Sequence, residues 1–258
     1  MKYQLACITG ASSGLGKAIA ECFADQGISL LLTGRNPKAL EEVACTLRNK
    51  VSVITHCADL ADLESRRSLV ALLHQHTPDL LINNAGIGLY GDVLSHSTEE
   101  ELKILEVNAN ALLELTLEGA RALFQAQKKG TILNVSSAAA FFVFPSFSVY
   151  TASKAFVNTL SQSLDLEFAP HGIRILCACP GQIETAFRTR AAQGRPQKLD
   201  GQSMSAKKAA RLLLAQINKA KSLNIIDWRY RIATFFARFF IPKKLLAKIL
   251  RSSIQNRL

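Results

Sequence analysis

No apolar run in this chain of 258 residues is long enough to cross a bilayer. The stretch Ile232 to Ile241 is about half of the roughly 20 residues a spanning helix needs, and Arg238 interrupts it. No signal-peptide layout precedes the first glycine loop, so a cytoplasmic protein is expected. The 6 cysteines (Cys7, Cys22, Cys45, Cys57, Cys177, Cys179) are scattered, mostly through apolar stretches, and read as reduced thiols. Cys177 and Cys179 flank one alanine, but no second ligand cluster accompanies them. They are expected as buried strand cysteines, and no metal site is expected. Internal repeats are absent. So is acid from Trp228 to Leu258, where 8 Lys+Arg stand without one Asp or Glu.

That last absence localises the basicity. The formal net charge is +11, yet residues 1–186 balance to −4 and residues 187–258 to +15. The C-terminal quarter is basic and the rest is not. With 48% hydrophobic content the chain can bury a substantial core, and its alternating strand and helix patterns fit one domain.

Tyr3 to Thr9 reads as a strand that runs into Gly10, Gly14 and Gly16, with helical periodicity from Leu15 to Gln26. Glycines there suit a backbone that turns sharply and approaches a pyrophosphate at a helix N-terminus. The spacing is G-x-x-x-G-x-G, not the commoner G-x-G-x-x-G. The next strand, Ile28 to Thr33, ends at Thr33-Gly34-Arg35. An NAD site would place a carboxylate there for the ribose 2′-hydroxyl. Arg35 instead offers a planar fork suited to a 2′-phosphate, so NADP(H) is expected.

Further along, Tyr150-Thr151-Ala152-Ser153-Lys154 stacks a phenol and an ammonium on one helix face. A cation within a few ångströms favours the phenolate, so the Tyr150 pKa is expected to fall by roughly 1 to 3 units and fit it for proton transfer near neutral pH. Ser137 stands upstream at the end of the strand-like run Thr131 to Val135. Between them lie Phe141, Phe142, Phe144 and Phe147, candidates for an apolar substrate pocket or for packing.

Taken with Thr9-Gly10-Ala11-Ser12-Ser13-Gly14-Leu15-Gly16, Asn83-Asn84-Ala85-Gly86 and Asn108, this order of motifs resembles the short-chain dehydrogenase/reductase family over about residues 3 to 220. The resemblance implies an α/β fold with a Rossmann-type doubly wound parallel sheet and catalysis by Asn108, Ser137, Tyr150 and Lys154. It implies cofactor contacts from Gly10, Ser12, Ser13, Gly14, Leu15 and Gly16, and from Asp59, Leu60, Asn84, Ala85 and Gly86. Tyr150, Lys154, Pro180, Gly181, Ile183 and Thr185 complete that set. A homo-oligomer, dimer or tetramer, is expected. The chain departs from the pattern near Ala140, where the family usually carries glycine.

The domain is expected to span residues 1–226, with a polar substrate loop and a helix at 187–222, and a basic amphipathic helical tail at 227–258. On a helical wheel Trp228, Ile232, Phe235, Phe236, Phe239 and Phe240 share one side, with Arg231 and Arg238 opposite. After Pro242, Leu245, Leu246, Ile249 and Leu250 oppose Lys244, Lys248 and Arg251. Docking on the domain or a sister subunit would cover the apolar side. An anionic membrane surface on the cytosolic side would use both sides. Nucleic acid is not expected, because the core is acidic and no base-stacking module surrounds the tail. The reading is an NADPH-dependent oxidoreductase acting on the carbonyl or alcohol of an apolar small molecule: a steroid, a long-chain acyl ketone, a sphingoid ketone or a 3-oxoacyl thioester of fatty-acid synthesis. A nucleotide-sensing binding protein on the same fold is the contrasting class, but a sensor needs only the cofactor residues.

Overall fold

The computed structural model describes residues 3–195 and 203–240. The strand-like runs form β1 (Leu5–Thr9), β2 (Ser29–Gly34), β3 (Val53–Cys57), β4 (Leu80–Asn83), β5 (Gly130–Val135) and β6 (Ile173–Cys179). The helices between them are α1 (Gly14–Ala24), α2 (Pro37–Leu47), α3 (Leu63–His76), α4 (Thr98–Leu105), α5 (Leu112–Gln125) and α6 (Ser148–Phe168). After β6 come β7 (Ile183–Glu184), α7 (Phe187–Ala191), β8 (Met204–Ser205), α8 (Ala206–Asn218), β9 (Leu223–Ile225) and α9 (Trp228–Phe240).

Seven strands make one parallel sheet in the order β3-β2-β1-β4-β5-β6-β9. Both faces are covered, as a parallel sheet requires. Alternate residues serve alternate faces: Ile8, Leu30, Leu32 and Ile82 pack with α1, α2 and α8. Cys7, Leu31, Leu81 and Ile132 pack with α3, α5 and α6. The chain starts at β1, winds outward to β3, then returns to β4 on the other side of β1. The crevice between the C-terminal ends of β1 and β4 is therefore the topological switch point, where ligands bind in such sheets.

Three features go beyond the sequence pattern. The helical run from Glu99 to Gln127 is interrupted by a π-helical turn at Glu106–Ala111. The polar loop after Thr185 begins as α7 and rejoins the domain where β8 pairs with β7. The short apolar piece Leu223 to Ile226 supplies a seventh strand, β9, beside β6. In the tail, α9 packs against the domain through Tyr230, which lies so close over Gly181 that an added Cβ there would overlap its ring. Thr234 and Ala237 are buried on the same side. Trp228, Ile232, Phe235 and Phe236 remain exposed, so the side turned inward is that of Tyr230, Thr234 and Ala237 and not that of the tryptophan and phenylalanines. The second tail helix, expected after Pro242, lies outside the described residues.

Candidate active site

The loop from Gly10 to Gly16 closes tightly on the end of β1. Gly10 and Gly14 have φ of 67° and 57°, a left-handed backbone that favours glycine. Gly16 has no room for more: a Cβ there would overlap the Gly10 carbonyl oxygen and come within 2.7 Å of Asn84 Nδ2. Thr9, at the C-terminal end of β1, ties this loop to the one after β4. Its hydroxyl accepts from the backbone N–H groups of Asn84 and Ala85 at 3.0 and 2.9 Å. Asn84 Nδ2 in turn donates to the Thr9 carbonyl at 2.9 Å. Two glycine-bearing loops are thus locked together at the switch point.

One cavity of about 630 Å³ runs along this edge. Gly10, Ser12, Ser13, Gly14, Leu15, Arg35, Asp59 and Leu60 line it on one side. Asn84, Ala85, Gly86, Ser137, Tyr150, Lys154, Pro180, Gly181, Ile183 and Thr185 line the rest. Of the residues expected at the site, Gly16 and Asn108 alone stand behind the wall instead of in it.

Lys154 is buried, and its Nζ donates to the Val135 carbonyl at 2.9 Å. Burial pulls its pKa down to about 8. Tyr150 is also buried, stacked on Phe147 with centroids 4.1 Å apart and met by Phe187 at 5.5 Å. Here the structure reverses an expectation. Burial pushes the Tyr150 phenol well above its ordinary value, and a hydrogen bond with Ser137 offsets only part of that. The Lys154 ammonium stands 5.9 Å from the ring centroid, and it is not what sets the phenol's proton affinity. The reason is the aromatic wall: a phenolate under Phe147 would lose its water.

Asn108 sits in the π-helical turn, fully buried. Its Oδ1 accepts from Ile87 N at 2.9 Å, and its Nδ2 donates to Ile87 O at 2.8 Å and Ser153 Oγ at 3.1 Å. Ser153 Oγ donates on to the Tyr150 carbonyl at 2.7 Å. A Cβ on Gly86 would fall 3.2 Å from Asn108 Oδ1 and 3.3 Å from Lys154 Nζ, so the absence of a side chain there lets all three converge. π turns recur at functional sites because the extra residue re-aims a side chain.

Phe142, Phe144 and Phe147 line the cavity, while Phe141 packs behind it with Leu112 and Val157. Tyr90, Phe187, Arg188, Arg190 and Tyr230 also line it and were not singled out by motif. Arg188 and Arg190 stood in a stretch that composition marks only as polar. Cys177 and Cys179 lie buried on β6, each within 3.3 Å of Asn158 Oδ1, as expected of strand thiols. Among the described residues no cluster of three metal-ligating groups occurs, and no helix is long and apolar enough to cross a membrane.

The residues fit a dinucleotide: the glycine cradle admits no Cβ, and Arg188, also on the cavity wall, holds three buried nitrogens without a partner among the described residues. Comparison with known proteins agrees. The family model for short chain dehydrogenases matches residues 4–196. An uncharacterized oxidoreductase of Staphylococcus saprophyticus is 33% identical over 201 residues, 76% of this chain and 86% of that one. Among solved structures, a short-chain dehydrogenase from Sphingobium yanoikuyae in complex with NADPH superposes with a TM-score of 0.81 at 31% identity, covering 86% of this chain and 87% of that one. A bulky-bulky ketone specific alcohol dehydrogenase from Comamonas testosteroni gives 0.78 at 28%, covering 88% and 87%. With the sheet, the glycine loop and the Ser137, Tyr150 and Lys154 cluster in place, the chain belongs to the short-chain dehydrogenase/reductase family and is an oxidoreductase.

Proposed function

We propose that this oxidoreductase uses NADPH to reduce the carbonyl of an apolar, lipid-like small molecule, or runs the reverse alcohol oxidation. The observation that carries the reading is one continuous cavity, which joins Arg35 and the glycine loop to Ser137 and Tyr150 beside three phenylalanines. The cofactor supplies the hydride. Gly10 to Gly16 and Thr185 hold its phosphates, and Asn84 to Gly86 leave backbone free for the nicotinamide ribose. Arg35 grips the 2′-phosphate: no Asp or Glu follows β2 to repel it, and no ion pair occupies the guanidinium among the described residues. The related protein from Sphingobium yanoikuyae, solved with NADPH, supports the same choice.

Ser137 holds the carbonyl oxygen and Tyr150 donates the proton to it. A phenol whose proton is held tightly by burial remains an acid until charge develops on the substrate oxygen. Lys154 would hold the ribose, and its ammonium, at about 8, is close enough to neutrality that proton delivery through it costs little. Asn108 supports a water relay behind Lys154 by fixing Ile87 on one side and Ser153 on the other. Phe142, Phe144, Phe147 and Phe187 make the wall beside Tyr150 mostly apolar, which favours an apolar substrate. The bulky ketones named for the Comamonas testosteroni relative point the same way. The outward aromatic side of α9, beside a cavity wall that includes Phe236, supports peripheral attachment to an anionic cytosolic membrane surface and substrate entry from it.

NADPH oxidation against ketones of rising chain length tests the reading, alongside NADPH and NADH affinities. NADPH is expected to bind at least about tenfold tighter than NADH, roughly 1.4 kcal/mol, and Arg35→Asp to reverse the order. Turnover is expected to rise with chain length. Equal affinities sink the cofactor choice, and turnover confined to short polar ketones sinks the substrate class.

A further inference from the structure

Arg188 is 7% exposed, and its Nε, Nη1 and Nη2 are all buried without a hydrogen-bond partner among the described residues. A guanidinium cannot shed its charge, so burial in this form is costly until an anion arrives. Among the described residues Asp59 is the only carboxylate on the cavity wall, and it is engaged by Ala61 N at 3.0 Å. A guanidinium so placed calls for a ligand anion.

The path of the chain says which part of the ligand. Thr185, three residues earlier, packs on Gly14, where a Cβ would meet its Cγ2 at 3.1 Å, so the segment enters α7 directly above the glycine loop. Phe187 reaches the Tyr150 ring, and Ala191 accepts from Tyr90 N at 2.8 Å, which fixes the far end of α7. Arg190, from the same turn, lines the cavity with Arg35. Burial and the neighbouring Arg35 charge both lower the Arg190 pKa, so two cations face one region with no acid between them among the described residues. We propose that α7 is a phosphate clamp, in which Arg188 binds the diphosphate bridge of the dinucleotide and Arg190 joins Arg35 on the 2′-phosphate. The short helix that follows Thr185 over the glycine loop and reaches the Tyr150 ring through Phe187 is then held by the cofactor's own charge. The assignment of Arg190 rests on the NADP reading above; that of Arg188 needs only a dinucleotide.

Isothermal titration calorimetry with NADPH and with NADH, on the full chain and its variants, separates these roles. Arg188→Met is expected to weaken both dinucleotides about tenfold or more, with Arg188→Lys recovering part of the loss. It is also expected to raise the thermal midpoint of the ligand-free protein, because it removes an uncompensated buried charge, and to shrink the gain in midpoint that NADPH brings. Arg190→Gln is expected to weaken NADPH about tenfold and leave NADH unchanged. Unaltered affinity for both dinucleotides in Arg188→Met, with a raised KM for the ketone, overturns the diphosphate role and makes Arg188 a substrate residue. Equal losses for both dinucleotides in Arg190→Gln overturn the 2′-phosphate role. If the unaltered chain binds NADH as well as NADPH, the NADP reading fails, yet the loss in Arg188→Met still stands or falls on NADH. A chain that binds neither overturns both readings together.

Discussion

Lys154 and Tyr150 lie four residues apart on α6, and burial acts on them in opposite directions. The Lys154 ammonium is held at about 8 in the folded chain against an ordinary 10.5, so the folded state sheds a proton that the unfolded state keeps between those values. The sign follows: its contribution to stability is present above about pH 10.5 and is lost as pH falls through about 8. We expect the unaltered ligand-free protein to become more stable relative to Lys154→Met by about 2 to 3 kcal/mol as pH rises from 8 to 10.5, a window comparison that cancels other groups. Urea unfolding of both proteins at pH 7.5 and 10.5 measures it; parallel pH profiles would mean the ammonium is solvated. Tyr150 has the opposite sign, since above pH 10 the folded state keeps a proton the unfolded state has lost. Tyr150→Phe removes that proton and spares the ring stacked on Phe147. Turnover is expected to drop about 100-fold or more with NADPH affinity kept, whereas Lys154→Met loses both. Near-normal turnover in Tyr150→Phe would place the proton donor elsewhere.

The π-helical turn between α4 and α5 is the element that the rest of the site leans on. Arg66 of α3 braces it from outside, pairing with Glu106 on the turn and Glu114 on α5, and donating to the Leu60 carbonyl at 2.9 Å. Inside, Asn108 satisfies both backbone groups of Ile87. Asn108→Ala leaves those buried groups unpaired, and a loss of about 1 to 3 kcal/mol in urea unfolding is expected. Asn110, exposed on the same turn, serves as control: Asn110→Ala is expected to change stability by less than about 0.5 kcal/mol. Equal effects at the two positions would make Asn108 a helix residue like any other. Nothing in the run Glu99 to Gln127 announces the turn, because helix and π bulge share local propensities; the bulge is set by what packs on Asn108.

Across the whole molecule, charge and apolar surface meet at one end. The core to residue 186 is acidic by 4 charges and the remainder basic by 15. Helix α9 turns Tyr230, Ala233 and Ala237 toward the cavity and leaves Trp228, Ile232 and Phe235 outside, with Phe235 and Phe236 edge to face at 5.8 Å. Because α9 forms part of the cavity wall, deleting it would confuse attachment with catalysis. Trp228→Ser with Phe235→Ser alters the outer face and keeps every cavity-lining residue of α9. Co-sedimentation with anionic vesicles is expected for the unaltered chain, to weaken about tenfold on raising salt from 0.1 to 0.5 M, and to weaken further in the double variant. Binding that is absent, or equal on neutral vesicles, returns this face to a sister subunit, which sedimentation of the two proteins would then distinguish by oligomer size.

The sequence alone carries the strand and helix alternation, the glycine loop, the missing carboxylate after β2 and the Tyr150, Lys154 spacing, because each is a local pattern of period, backbone freedom or charge. It places Ser137 by its strand edge and brings Asn108 in through resemblance. What it does not carry is anything decided by packing across the sheet. That Phe187 covers Tyr150, that burial and not Lys154 governs the phenol's proton, that Arg188 is enclosed without an acid among the described residues, and that α9 turns Tyr230 and Ala237 inward all depend on segments about 40 to 170 residues apart meeting over one crevice. Desolvation is a property of the enclosure, and a linear pattern holds no record of which neighbours will exclude the water.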